Sequence, residues 1–276
     1  MIRFPWRCKP VREHSISLTC LHIFCHSLFL HRWLLHFTLS KMVSTETVRT
    51  IVGIIGNVIS FFLFLSPVPT FWKIIKQKDV EDFKPDPYVA TVLNCAMWCF
   101  YGMPFVKTDS ILVLTINGIG LVIELIYVSI FFVYSDRQKR RKIVITLTVE
   151  VIFMVVVVLI AMIVFNHASK RATFVGILAI IFNIIMYASP LTVMKMVIRT
   201  KSVLYMPFYL SLANFLNGII WVIYASLKFD INIVLPNGLG ALSGLIQLIL
   251  YGIYYRTTNW EDDGRPKSEV ELPSSA

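Results

Sequence analysis

Two stretches of this chain repeat one polar pattern in apolar surroundings. They are Asn94-x-x-x-Trp98-x-x-Tyr101 and, 123 positions later, Asn217-x-x-x-Trp221-x-x-Tyr224. A third pair, Asn117-Gly118 and Asn237-Gly238, recurs at an offset of 120. Residues four apart share one face of a helix, so each asparagine of the longer pattern stands beside its tryptophan. An asparagine amide offers donors and an acceptor without fixed charge. An indole offers a broad apolar face and one N–H. Together these groups suit holding a neutral polar molecule rather than transforming one. The apolar stretches hold no paired carboxylates and no histidine cluster, and the chain shows no metal-ligand spacing. A lone asparagine in such a stretch is explained by one interhelical hydrogen bond. Three pairs repeated in register favour a binding site.

The elements that must carry these residues are set by composition. The chain has 276 residues, 57% of them hydrophobic and 15% charged, with mean hydropathy +0.71. A soluble domain carries about 25% charge, so a soluble enzyme, a disordered chain and a coiled coil are all excluded. The apolar residues form continuous runs near the ~20 residues that cross a ~30 Å hydrocarbon core, which makes helix the spanning form. Seven runs are readable, at about 48–66, 87–105, 110–134, 143–165, 172–194, 206–227 and 231–255.

The net charge of +10 suggests nucleic acid at first sight. Its distribution points to topology instead. Fifteen Lys and Arg fall in the loops after runs one, three and five and in the tail, against four in the loops after runs two, four and six. The richer side is expected in the cytoplasm. Residues from 42 onward then start outside and the C-terminus lies inside, with no nucleic-acid partner. Of five cysteines, Cys95 and Cys99 read as small packing residues, and no disulfide framework is visible.

Residues 1–41 stand apart. They hold five of the six histidines and three of the five cysteines. Their apolar stretch 16–39 is interrupted by histidines, Arg32 and Trp33 and lacks a small-residue cleavage site. We read them as a dispensable extension before Met42, with an interfacial amphipathic segment as the alternative.

The remainder repeats itself. Gly56 to Pro67 matches Phe182 to Pro190 through the terminal Ser-Pro, and the two prolines are 123 apart. Ile116-Asn117-Gly118-Ile119-Gly120 faces Pro236-Asn237-Gly238-Leu239-Gly240 at 120. Pro87 and Pro207 also pair at 120, out of step with their neighbours. Two copies of a three-helix unit, 42–134 and 171–255, need one linker span between them to share an orientation. Residues 135–170 contain it, and 256–276 form a polar cytoplasmic tail. The expected fold is an all-α polytopic membrane protein of seven transmembrane helices, 3+1+3.

At these residues the sequence resembles the SWEET family of sugar facilitators. The matching motifs are Leu65-Ser66-Pro67, Thr115-Ile116-Asn117-Gly118, Met186-Tyr187-Ala188-Ser189-Pro190-Leu191, Lys201-Ser202-Val203, Met206-Pro207-Phe208 and Pro236-Asn237-Gly238. SWEET proteins are themselves a known example of parallel repeats with a midplane substrate site. The resemblance, closest to the plant hexose-preferring group, implies gradient-driven uniport by alternating access, no cofactor, and association into homo- or hetero-oligomers. It implies a pocket at Asn117, Asn237, Trp98 and Trp221, to which the repeat adds Asn94 and Asn217. It also carries over Ser60 with Asn183 and Leu63 with Met186, each pair i,i+3 on one helix face of its copy. Met186 is long and would narrow the cavity, which favours a monosaccharide such as glucose.

Proline kinks helices by withdrawing a donor. The resemblance makes Pro67, Pro87, Pro190 and Pro207 a cytoplasmic hinge, while Pro69 and Pro85 only punctuate helix ends. Tyr101 and Tyr224, one turn beyond the tryptophans, can close an outer gate with Lys107, Asp109 or Asp230. An interfacial aromatic belt explains the two tyrosines equally well.

Glu124 and Glu150 are the acidic residues within runs. Neither has a carboxylate partner in the other copy, so both read as structural, and transport as uniport rather than proton symport. The alternatives are a sucrose-preferring or proton-coupled transporter, and a seven-span receptor. The expected location is the plasma membrane, or else a vacuolar or other endomembrane.

Overall fold

The computed structural model describes residues 44–81 and 83–260. The extension 1–41 and the end of the tail lie outside the described residues. The chain divides into two compact units, Met1–Val48 and Arg49–Ala276, and the site belongs wholly to the second.

All regular structure among the described residues is helical, in seven passes. The first pass, Ser44–Gln77, consists of α1 (44–65) and α2 (Val68–Gln77). Passes two to four are α3 (Asp86–Tyr101), α4 (Ile111–Tyr134) and α5 (Arg137–Val164). The fifth pass is again double, α6 (Ala168–Met186) and α7 (Ala188–Thr200), followed by α8 (Phe208–Leu227) and α9 (Ile231–Tyr254). Six passes are long and apolar enough to cross a bilayer by themselves. The exception is α3, with 16 residues, about 24 Å of helix. The arrangement is that of two parallel three-helix repeats joined by α5.

Passes one and five break at matching places for one reason. Pro67 and Pro190 have no N–H to give the carbonyls four residues back, Leu63 O and Met186 O. At the first break Ser66 supplies what is missing, through its N at 3.1 Å and its Oγ at 2.7 Å from Leu63 O. At the second, the Tyr187 N–H is shared between Asn183 O and Ile184 O. Each second half then runs on as helix and ends on a left-handed lysine, Lys78 at φ 57° and Lys201 at φ 55°. The expected ends at 66 and 194 are therefore too early. The basic residues Lys73, Lys76, Lys195 and Arg199 read as loop by charge, but they lie on helical turns. Pass two errs in the other direction. It ends at Tyr101 rather than 105, because Pro104 cannot continue a helix through Phe100.

Packing differs between the two ends of the bundle. At the end holding Tyr101 and Tyr224, one core draws on both repeats: Trp98 and Tyr101 of α3, Trp221 and Tyr224 of α8, Ile233 of α9 and Val175 of α6. At the end holding the four prolines there are two cores. One gathers Phe71, Ile74, Val89, Tyr127 and Phe131 from the first repeat, with Ile143 of α5. The other gathers Val193, Val197, Met206 and Leu250 from the second. The bundle is thus joined across the repeats at the tyrosine end and divided at the proline end. Around it, the α5 side chains Ile152, Val155, Leu159 and Ile163 are exposed, as suits a face turned to lipid.

Candidate functional site

A cavity of about 340 Å³ lies between the repeats. Nine of the ten expected binding residues line it: Ser60, Leu63, Asn94, Trp98, Asn117, Asn183, Asn217, Trp221 and Asn237. The repeat symmetry carries over into hydrogen bonds that cross between the repeats. Ser60 Oγ on α1 donates to Asn217 Oδ1 on α8 at 2.6 Å, and Asn183 Nδ2 on α6 donates to Asn94 Oδ1 on α3 at 3.1 Å. Trp221 Nε1 donates to Ser60 Oγ at 3.1 Å, which fixes that indole. Asn117 and Asn237 behave alike. Each gives one amide hydrogen to the carbonyl four residues back, Val113 O at 2.9 Å and Ile233 O at 2.8 Å. Each keeps an oxygen and a second N–H at the cavity wall. Cα-only residues let the repeats close here: a β-carbon at Gly53 would stand 2.9 Å from the Tyr224 ring, and one at Gly56 3.2 Å from the Trp221 ring.

Met186 is not on the cavity wall. It is the last residue of α6 before the break at Tyr187, whereas its mate Leu63 in α1 lines the cavity. The sequence reading also missed wall residues. Val113 and Ile116 flank Asn117, and Ile233 and Pro236 flank Asn237 at the same spacings; the repeat offset of 120 could have found them. Phe64 and Thr91 lie toward the proline end. Glu124, read from the sequence as structural, lines the cavity as well. Glu150 is buried on α5, outside the cavity.

Above the cavity the tyrosine end is shut. Trp98 and Tyr101 meet edge to face with centroids 5.3 Å apart, and Trp221 and Tyr224 do the same at 5.2 Å. Tyr101 Oη is 2.7 and 2.9 Å from the two Asp230 oxygens, donating to that carboxylate, and accepts from Asn232 Nδ2 at 3.3 Å. Lys107 Nζ lies 3.1 Å from the same carboxylate. The other half of the closure reverses the repeats. Lys228 Nζ is 3.0 Å from Asp109, and Tyr224 Oη donates to Asp109 O at 3.4 Å. Arg49 stacks 4.2 Å over the Tyr224 ring and donates to Asp109 O at 2.8 Å. The Lys228 partner holds the Asp109 carboxyl below its ordinary 3.8. Asp109 itself sits at φ 59°, a left-handed position that aspartate tolerates better than most residues.

The prolines divide by position. Pro67 and Pro190 stand at the breaks of passes one and five, Pro67 as the cap of α2 and Pro190 in the first turn of α7. Pro207 caps α8, and Pro85 holds that place on α3, with Pro87 one residue into the helix. By helix position Pro207 thus matches Pro85, 122 residues earlier, and not Pro87.

A seven-pass helical bundle of two like repeats, with a cavity between them lined chiefly by amides and indoles and shut at one end, defines a membrane transporter for a polar solute. The chain matches the family described as "Sugar efflux transporter for intercellular exchange" over residues 50–139 and 173–259, one stretch per repeat. It is 63% identical over 228 residues to the bidirectional sugar transporter SWEET5 of Arabidopsis thaliana, covering 83% of this chain and 95% of that protein. It is 55% identical to SWEET7b of Oryza sativa subsp. indica over 235 residues, covering 85% of this chain and 87% of that protein. The solved structure of a eukaryotic SWEET transporter superposes with a TM-score of 0.74 at 41% identity, over 77% of this chain and 99% of that one. The chain belongs to the SWEET family of sugar transporters; it is an integral membrane protein and not an enzyme.

Proposed function

We propose that this chain is a bidirectional uniporter of hexoses, glucose foremost, working by alternating access between its two repeats. The observation that carries this reading is the cavity itself. Four asparagines and two indoles line it in repeat-related pairs, with Asn183 matching Ser60, and several are already fixed by hydrogen bonds between the repeats. Its volume of about 340 Å³ lies at the small end of the ~300–1,000 Å³ range of ligand pockets, which supports a monosaccharide over sucrose. With one shared core at the tyrosine end and two separate cores at the proline end, the bundle has the form of a carrier closed on one side and parted on the other.

In this reading the Tyr101–Asp230 and Tyr224–Asp109 contacts are the outer gate. Opening it requires the proline ends to come together, with Pro67, Pro87, Pro190 and Pro207 as the hinge region. The excess of basic residues at the proline end supports a cytoplasmic position for that end. We assign the carrier to the plasma membrane, in oligomers.

The test is flux of labelled glucose, fructose and sucrose in cells expressing the chain, alongside Asn117→Ala and Asn237→Ala at matched surface level. Each substitution removes hydrogen bonds worth roughly 0.5–1.5 kcal/mol net, and more where a sugar hydroxyl is left unpaired. Glucose flux should be lost in both and follow only the gradient in the parent. Parent-like flux in both variants would refute the site.

A further inference from the structure

Glu124 is the one carboxylate on the wall of the cavity. Its side chain is 4% exposed, and its Oε2 is buried with no hydrogen-bond partner. A buried polar oxygen without a partner is costly, and a carboxylate more so. Among the described residues no donor meets this oxygen. Tyr88 and Cys95 on α3 and Tyr127 on α4 are the titratable groups close enough to feel its charge. Tyr127 gives its hydroxyl to Phe64 O at 3.0 Å. Thr91, its polar neighbour on the cavity wall, gives its own to Pro87 O at 2.8 Å.

The position is informative as well. Glu124 lies seven residues beyond Asn117 on α4, so both face the cavity, two turns or about 10.5 Å apart along the helix. It stands on the proline side, where the two repeats are parted. The other repeat has no counterpart. Gly244 occupies the matching place in α9, and a β-carbon there would meet the Phe215 backbone at 2.8 Å, so α8 and α9 close over it. The cavity therefore has a symmetric polar ring at its middle and one unsatisfied acceptor, on the first repeat only, toward its parted end.

Resting on the sugar-carrier reading above, we propose that Glu124 is a second sugar-contacting residue. It accepts hydroxyl hydrogens of the sugar at a station between the asparagine ring and the proline end. A carboxylate accepts at two oxygens, so adjacent hydroxyls on one face of a sugar ring are its natural partners. The station therefore selects for hydroxyl pattern, whereas the neutral ring selects for size and overall polarity.

The experiment compares glucose with its monodeoxy analogues in the parent, Glu124→Gln and Glu124→Leu, measuring KM and maximal flux at matched surface level. In the parent, deoxygenation at one or two adjacent positions should raise KM at least tenfold. In Glu124→Leu the same deoxygenation should cost less than threefold, and in Glu124→Gln an intermediate amount. The KM for glucose itself should rise about tenfold in Glu124→Leu, with maximal flux within about threefold of the parent. Deoxygenation penalties that are the same in all three proteins would overturn the proposal while leaving the carrier reading intact. So would failure of both variants to reach the membrane, which would make Glu124 a folding residue. Proton-driven glucose accumulation abolished by Glu124→Gln would overturn it in favour of a proton-carrying role. A parent without saturable flux of any sugar would take down the carrier reading, and this proposal with it.

Discussion

Asp230 and Asp109 both stand just before the third helix of their repeat, Asp230 as the cap of α9 and Asp109 one residue before the Ser110 cap of α4, each paired with a lysine of the other repeat and each met by a tyrosine hydroxyl. Their surroundings are unlike. The Asp230 side chain is 4% exposed and takes Tyr101, Lys107 and the Asn232 backbone N–H, the last as the cap of α9. The Asp109 side chain is 62% exposed and pairs with a Lys228 that is itself 40% exposed. The Tyr224 hydroxyl reaches the Asp109 backbone rather than its carboxylate. Breaking a buried, hydrogen-bonded ion pair costs about 3–5 kcal/mol, since it strands the remaining charge. An exposed pair is worth about 0–1 kcal/mol. Duplication thus supplied the same residue types twice, while burial concentrated the closing energy in the half that uses Asp230. The second half combines that exposed pair with Arg49, which stacks on Tyr224 and donates to Asp109 O.

The largest break of this comparison is Asp230→Ala. It strands the Lys107 charge, leaves Tyr101 without its acceptor and uncaps α9. Glucose flux should fall more than tenfold, and a cysteine placed beside Tyr101 should become reactive to a membrane-impermeant thiol reagent. Flux within threefold of the parent would show that the buried half does not govern closure.

Tyr101→Phe is milder. The ring stays packed against Trp98 and only the hydroxyl is lost, at roughly 1–3 kcal/mol for the acceptors left behind. Flux should drop several-fold, with surface level unchanged. A loss equal to that of Asp230→Ala would mean that the lysine pair contributes little.

Leu63 and Met186 sharpen the comparison from inside the cavity, since their repeats place them differently. Met186→Val should leave the sucrose-to-glucose flux ratio unchanged at matched expression, and Leu63→Ala should raise it. A rise in the ratio for Met186→Val would return that side chain to the pocket in a further conformation of the cycle.

Asp109→Asn should have the smallest effect, flux within about twofold of the parent. Its pH dependence has a definite sign. The Asp109 carboxyl is held below its ordinary 3.8, so its contribution is fully present above that value and lost only as pH falls through the lowered one. Thermal stability of parent and variant should run parallel between pH 5 and 8. Divergence within that range would show that Asp109 is not in the exposed ion pair.

Much of this was legible in the residues. The seven passes followed from the lengths of apolar runs, because a bilayer requires about 20 such residues per helix. The doubled unit followed from Asn94/Asn217, Trp98/Trp221 and Asn117/Asn237, because duplication preserves spacing within helices. Nine of the ten expected wall residues reached one cavity for the same reason: helical phase, once set by a repeat, fixes which side chains share a face. Met186, placed with Leu63 by spacing, is the exception: it ends α6 and is not on the wall. The helical continuations to Gln77 and Thr200 were hidden by their charge, which mimics a loop where the chain leaves the bilayer.

The seven-residue spacing from Asn117 already put Glu124 on the same face of α4; only the packed bundle shows its Oε2 buried there without a partner. That Asp230 is buried and Asp109 exposed could not be read at all. Both follow the same tyrosine-and-lysine pattern, and the difference is decided by what the opposite repeat packs over each of them.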